Sequence, residues 1–444
     1  MKQNKDYLIT EKPSRALLIF SIPMIIGNLF QQAYTIVDSA IVGRYVGETA
    51  LAAVGASYSL TSIFICIAIG GGIGASVIIS HHFGAHNYGR MKTCIRTALL
   101  SFLFISLILG GIGLIFSQQI MEVLNTPADA IDIAVTYLNI YFLGLPFLFM
   151  YNILSSMFNA LGESRIPLYL LIFSSVLNIF LDLYMVAVLN LGVAGAAYAT
   201  FIAQGISAVL SLIIFVVTLQ QLQGKAEGWF SKTEFSDMSR IALPSILQQS
   251  TVSIGMMLVQ SVVNSFGTQI LAGFSAAMRI ESLCVVPMSA IGNAMSSYTA
   301  QNIGAEKEER ISQGYRAGNF MIIVIAVILC FFLEIAHKPL IALFLDNEPS
   351  AQTIVTGESY LKFIGFFFCM IGFKMTVDGI LRGAGAVKVF TIANMVNLTL
   401  RVTIAKFGAP IWGVSMVWYA VPLGWLANFL ISYGYYRTEK WKEA

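Results

Sequence analysis

Charge is scarce in this 444-residue chain. Only 11% of its residues are Asp, Glu, Lys or Arg, where a soluble domain carries about 25%. Hydrophobic residues make up 57%, and the mean hydropathy is +0.77. That shortage excludes a water-facing surface over most of the chain and indicates an integral membrane protein. Strict apolar–polar alternation over segments of about ten residues is also missing, which excludes a transmembrane barrel. There are four histidines and five cysteines. No cysteine pair has CxxC spacing, so Cys66, Cys94, Cys284, Cys330 and Cys369 read as packing residues, not disulfides or metal ligands. No cleavable leader is expected. The basic start (Lys2, Lys5, Lys12, Arg15) runs into a span too long for a signal h-region, with no small-residue cleavage site nearby.

What is present instead is long apolar runs, such as "ALLSFLFISLILGGIGLIF" and "FMIIVIAVILCFFL". A spanning helix needs about 20 mostly apolar residues. Dividing the chain at its charged and Pro/Gly breaks predicts an all-α polytopic membrane protein with about twelve transmembrane helices. Their cores are 16–38, 52–78, 96–117, 134–157, 167–188, 194–218, 241–263, 271–297, 317–337, 357–380, 389–407 and 411–435. Basic residues sort by connection. They cluster after the second span (Arg90, Lys92, Arg96), after the fourth (Arg165), around the sixth-to-seventh connection (Lys225, Lys232, Arg240) and after the eighth (Lys307, Arg310, Arg316). Lys388 follows the tenth span, and Arg437, Lys440 and Lys442 end the chain. No Lys or Arg lies between Arg96 and Arg165, a stretch that holds Glu122, Asp129 and Asp132. The positive-inside rule then places both termini and every even-numbered connection in the cytoplasm.

The two halves repeat. "FSIPMI" with Pro23 matches "IALPSI" with Pro244, "HHFGAHNYGR" at 81–90 matches "QNIGAEKEER" at 301–310, and "NALGESRIP" near Gly162 matches "LRGAGAVKV" near Gly385. The offsets are 221, 220 and 223. Each half holds six spans that begin on the same side, so the repeats are parallel. The expected organisation is an amino-terminal lobe 1–218, a cytoplasmic linker 219–240 and a carboxy-terminal lobe 241–444, around a central cavity. Two such lobes form an alternating-access transporter plan.

An ionisable residue within a span costs about 2.5–3.5 kcal/mol even on forgiving insertion scales and marks function by default. The candidates are Asp38, Asp182, Glu281, Lys374, Asp378 and Arg401. Tyr34 and Asp38 are four apart on the first span, so the tyrosine hydroxyl is placed to donate to the carboxylate. The competing reading makes Asp38 an outer-interface residue with Arg44 as a solvated partner. Asn178 and Asp182 share one face of the fifth span by the same spacing. Thr200 on the sixth span and Asn159 near the end of the fourth add a hydroxyl and an amide. If these spans converge, the first lobe holds an oxygen-rich pocket suited to a proton or a monovalent cation; otherwise the groups make separate helix–helix hydrogen bonds. The second lobe has no matching acids. Val259 and Gln260 stand opposite Asp38, Arg401 opposite Asn178, and Ala405 opposite Asp182. Its own charges, Lys374 with Asp378 and Arg279 with Glu281, read either as structural pairs or as cavity lining with Arg401.

Other signals are weaker. "GGGIG" at 70–74 has no βαβ context and reads as helix packing. His81, His82 and His86 resemble a metal cluster, yet the repeat carries Gln301, Asn302 and Glu306 there. A membrane enzyme would need a nucleophile–base constellation within the spans, and the histidines are not placed for one. No enzyme activity, cofactor or nucleic-acid partner is expected.

Pro23, "QQAYTIVDSAIVGRYVG", "ALAAVGAS", "FGAHNYGR", "NALGESRIP", "VLNIFLD" and "GVAGAAYAT" together resemble the multidrug and toxic compound extrusion (MATE) family. The likeness covers nearly the whole chain and is nearest the DinF-like branch, named for the DNA-damage-inducible protein. It implies the MOP-superfamily fold and export of organic, often cationic and amphipathic compounds by antiport with H+ or Na+. It implies a monomer in a bacterial cytoplasmic membrane. It also implies a coupling site at Asp38, Tyr34, Asn178, Asp182, Asn159 and Thr200, and a first-helix bend at Pro23. Asp38 and Asp182 would be the coupling carboxylates and titrate as a pair. The other bacterial branch favours a second-lobe acid on the seventh helix, where this chain has Gln248 or Gln260. The alternative reading, a lipid-linked oligosaccharide flippase of the same superfamily, would ask for a strongly basic cavity, to which only Arg279, Lys374 and Arg401 contribute.

Overall fold

The computed structural model describes residues 6–124, 126, 130–345 and 350–443. Lys2 and Lys5, named above in the leader reading, and Asp129, used for orientation, lie outside them. Among the described residues every regular element is helical. Eleven helices are long and apolar enough to cross a membrane, with lengths from 23 to 37 residues. At 1.5 Å per residue even the shortest extends about 35 Å, more than a bilayer's hydrocarbon core. The tenth span is a pair, Ala351–Gly365 and Phe368–Gly383, bent by 53°. The expected twelve spans are therefore all present. Their outward faces carry large apolar side chains such as Phe104, Ile115, Phe180 and Ile335, all well exposed. Lipid, not water, suits such a surface.

The repeat extends to the backbone. Gly162 and Gly385 both take φ +79°, and His86 and Glu306 take +54° and +55°. The fifth span (Arg165–Asp182) runs into a π-helical stretch, Leu183–Val188. Its counterpart, the eleventh (Val387–Thr403), does the same at Ile404–Gly408. π-segments are rare and cluster at functional sites, so their recurrence marks these two spans. The "GGGIG" run lies inside the second span, Glu48–Gly84. A Cβ at Gly70, Gly72 or Gly74 would meet Ile246, Ser156 or Met238 at 2.5–2.6 Å. Close helix packing is the reason for these glycines.

Packing divides the chain into two units. One is residues 26–246; the other joins the segment ending at Ile25 to Leu247 and everything after it. This differs from the expected boundaries at 218 and 241, because each half keeps the other's entry segment. Within the first unit, residues 219–240 are pinned rather than loose. Lys92 Nζ donates to the carbonyls of Leu222 (2.7 Å) and Gly224 (2.8 Å), and Thr93 Oγ1 accepts from the Glu227 amide (2.9 Å). The Arg96 guanidinium lies 4.7 Å from the Trp229 ring centre. Glu234 on the seventh span (Lys232–Asn264) meets His82 Nε2 at 3.0 Å and Arg90 Nη2 at 3.4 Å.

Within the other unit the repeat turn does the same to the chain's start. Arg310 donates to the carbonyls of Glu11 (2.5 Å) and Leu8 (3.3 Å), and Asn302 to Leu8 (3.2 Å). His82 and Asn302 are the same repeat position, as are Arg90 and Arg310. So the histidine in that turn is a partner for Glu234. No group of three or more metal-binding side chains occurs among the described residues.

The first span (Pro13–Tyr45) and the seventh thus each belong to both units. The change falls two residues after a proline in each case, Pro23 before Ile25 and Pro244 before Ile246. Proline lacks the amide that would close the helical hydrogen bond, so both helices are weakest where they pass between units.

Candidate functional site

The first unit gathers five of the six expected polar residues. Asn178 and Asp182 are almost fully buried on the fifth span. The Tyr34 hydroxyl lies 2.5 Å from the Asn178 side-chain amide. One amide orientation satisfies both ends of that group. Nδ2 donates to Asp182 Oδ2 at 2.9 Å, and Oδ1 accepts from the Thr200 backbone amide at 3.0 Å. The reverse orientation would face oxygen to carboxylate and N–H to N–H, so electrostatics select the first. Tyr34 therefore meets Asn178 rather than donating to Asp38 as the i, i+4 spacing predicted. The reason is that the fifth span comes closer to it than its own helix neighbour does.

Asp38 and Asp182 bring their carboxyl groups within hydrogen-bonding reach of each other. Two carboxylates so placed repel each other when both are ionised. Each keeps one buried oxygen, Oδ1 in both, with no hydrogen-bond partner. Burial of unpartnered carboxylate oxygen is costly. These two atoms are the open valences of the site.

Asn159 is not part of it. Tyr137, on the same fourth span (Ile131–Ala160), is within electrostatic range of Asp38 and Asp182. Asn159 is 22 residues further on, about 33 Å along a helix. Its Oδ1 is buried without a partner at that far end. The residue the sequence reading missed is Tyr137. Beside it a cavity of about 20 Å³, lined by Tyr137, Tyr141, Thr200 and Gln204 among others, has room for one water. A tyrosine in a span reads equally as an interface anchor, so sequence carries no distinct signal for it.

In the second unit, Lys374 and Asp378 form an ion pair at 3.2 Å. Ser432 donates to Asp378 Oδ1 (2.7 Å), and Lys374 donates to Asn394 Oδ1 (3.1 Å). Both charges are almost fully buried and partnered, which is the pattern of a structural pair. The supposed Arg279–Glu281 pair does not form. Side chains two apart on a helix do not face each other; Arg279 is exposed, while Glu281 is buried and accepts a hydrogen bond from Tyr360 Oη at 2.6 Å. Gln260 is exposed and its neighbour Val259 is buried. Arg401 is half-buried, near Glu281 and Tyr360. Pro23 is buried within the first span.

The MatE family model matches residues 23–184 and again 244–406, one match per repeat. A probable multidrug resistance protein, YpnP of Bacillus subtilis (strain 168), is 32% identical over 96% of both chains. A second from the same organism, YoeA, is 27% identical over 100% of this chain and 98% of its own. A solved MOP-superfamily transporter from Pyrococcus furiosus superposes with a TM-score of 0.92 over the full length of both chains at 24% identity, a likeness of fold. With one family match in each repeat and a relative of that identity along nearly its whole length, the chain belongs to the MatE family of multidrug and toxic compound extrusion transporters.

Proposed function

We propose that this protein exports organic amphipathic compounds from the bacterial cytoplasm by antiport with protons, and that Asp38 and Asp182 carry the coupling proton. The observation that supports it is the carboxyl–carboxyl contact between the first and fifth spans, with a free buried oxygen on each side. A proton suits this site better than sodium. Hard cations are held by oxygen ligands, but here the Asn178 oxygen is taken by the Thr200 amide and its N–H faces Asp182. Tyr34, Asn178 and Thr200 then orient the pair rather than ligate an ion. Pro23 is the hinge: it stands beside the point where the first span passes from one packing unit to the other. Proton gain or loss at Asp38 changes the charge on this helix and thereby its preferred path. Each elementary charge moved across 100 mV supplies about 2.3 kcal/mol, enough for useful accumulation with one or two protons. The protein works as a single chain in the cytoplasmic membrane, both termini inside, with no cofactor.

The test is efflux of a fluorescent cationic dye from proteoliposomes. An imposed pH gradient without sodium is expected to drive it, and a sodium gradient at equal pH is not. Efflux driven by sodium alone would reverse the assignment of the ion.

A further inference from the structure

The first unit carries an apolar groove that the transport reading leaves unused. It lies along the third span (Tyr88–Val123) and has a volume of about 490 Å³. Leu100, Leu103, Phe104 and Leu107 of that span line it, and Phe230 and Phe235 form its other wall. The two phenylalanine rings are 6.0 Å apart. All six side chains are exposed. Ser101 also lines the groove, but its hydroxyl donates to the Thr97 carbonyl at 2.7 Å, so no polar group there is left seeking a partner. From Arg96 to Leu107 the span rises about 16 Å, half of a hydrocarbon core of about 30 Å. The groove is therefore as deep as one leaflet.

Its rim is cationic. The Ser231 amide donates to Thr97 Oγ1 at 3.0 Å, so Arg96 and Lys232 flank one anchor point. The Arg96 guanidinium covers the ring of Trp229, which is 75% exposed. Among the described residues no carboxylate forms an ion pair with Arg96 or Lys232. Glu234 is buried and meets His82 and Arg90. The Glu227 carboxylate lies against Gly89, two turns before Arg96.

The repeat has no second copy of this arrangement. At the offset of 221 that relates Pro23 to Pro244, Trp229, Phe230, Lys232 and Phe235 correspond to Leu8, Ile9, Glu11 and Ser14. Leu8 and Ile9 are buried. The aromatic wall and the added cation thus belong to one unit alone. An apolar trough one leaflet deep, with cations and an exposed tryptophan at headgroup level, suits an amphiphile of negative charge. A zwitterionic lipid fills the trough equally but brings its own cation, so charge complementarity selects the anionic one. We propose that the groove seats one anionic phospholipid of the cytoplasmic leaflet. An acyl chain lies against Phe104, Phe230 and Phe235, and the phosphate meets Arg96 and Lys232. The lipid thereby fastens residues 229–235 to the third span. This requires that the chain sit in a membrane, and is independent of which ion drives export.

Photocrosslinking tests it on the full-length protein. The probe is phosphatidylglycerol with a diazirine midway along one acyl chain, present at trace level in phosphatidylcholine nanodiscs. Labelled peptides are then identified by mass spectrometry. Labelling is expected to concentrate in residues 100–107 and 229–235. Unlabelled phosphatidylglycerol added at reconstitution should remove it about tenfold more effectively than extra phosphatidylcholine with the same chains. Glycerol 3-phosphate, which carries the phosphate without the chains, should not compete. Arg96→Gln with Lys232→Gln should bring the two lipids within about twofold of each other. Leu103→Trp, which fills the groove, should lower labelling there by about fivefold or more. Labelling as strong at Phe116 or Phe331, exposed apolar positions outside the groove, would overturn the proposal. So would equal competition by the two lipids, or competition by glycerol 3-phosphate. The wild-type pattern decides the matter by itself if a variant does not fold.

Discussion

Asp38→Asn is expected to lower pH-gradient-driven efflux by about 100-fold or more, a loss equivalent to about 2.7 kcal/mol, with the protein still folded. The substitution keeps the shape of the side chain and removes the group that exchanges the proton. It also removes a buried carboxylate oxygen that has no partner, so resistance to thermal unfolding should be unchanged or slightly raised. Asp182→Asn should behave alike, because the proposed mechanism has the two carboxyls share the coupling proton. Thr200 is a milder case. It meets Asn178 through its backbone amide, so Thr200→Ala preserves that bond and should retain most activity. Efflux by Asp38→Asn within twofold of wild type, in the same vesicles, would remove the carboxyl pair from the mechanism.

The largest stability effect is expected in the other unit. Asp378→Ala leaves the Lys374 ammonium almost fully buried with only Asn394 to receive it. Breaking a buried pair from one side costs about 3–5 kcal/mol. Replacing both partners by apolar residues of similar volume, Lys374→Met with Asp378→Leu, should cost less than half of that, since no charge is stranded. Denaturant titration in mixed micelles measures the difference. A double variant as unstable as Asp378→Ala would mean that Ser432 and Asn394, rather than the charge pair, dominate the network.

Much of this molecule was readable from the sequence because hydrophobic run length and repeat spacing are properties of one chain read in order. The twelve spans, the parallel repeat, and the shared face of Asn178 and Asp182 follow from run length and repeat spacing, whereas the 53° bend in the tenth span was not foreseen. What was not readable depends on how far one helix slides along another. Asn159 has the right chemistry on the right span, yet stands about 33 Å from Tyr137, six helical turns too far along. Tyr137 itself was passed over, since nothing in "AVTYLNIYF" distinguishes a site tyrosine from a packing one. Arg279 and Glu281 are near in sequence and on different sides of their helix; Glu281 finds Tyr360, 79 residues away. The exchange of ends between the packing units was hidden for the same reason. Lys92 and Arg96 read as part of a basic connection, and only the fold places residues 222–229 against them.

The central claim is that Asp38 and Asp182 hold a proton which substrate displaces. Counting protons tests it most directly. A saturating cationic dye is added to purified protein in weakly buffered solution near neutral pH, and the proton release is measured for wild type beside Asp38→Asn. The account predicts release of about one proton per dye bound by wild type and none by the variant. No release from wild type, or equal release from both, would contradict it.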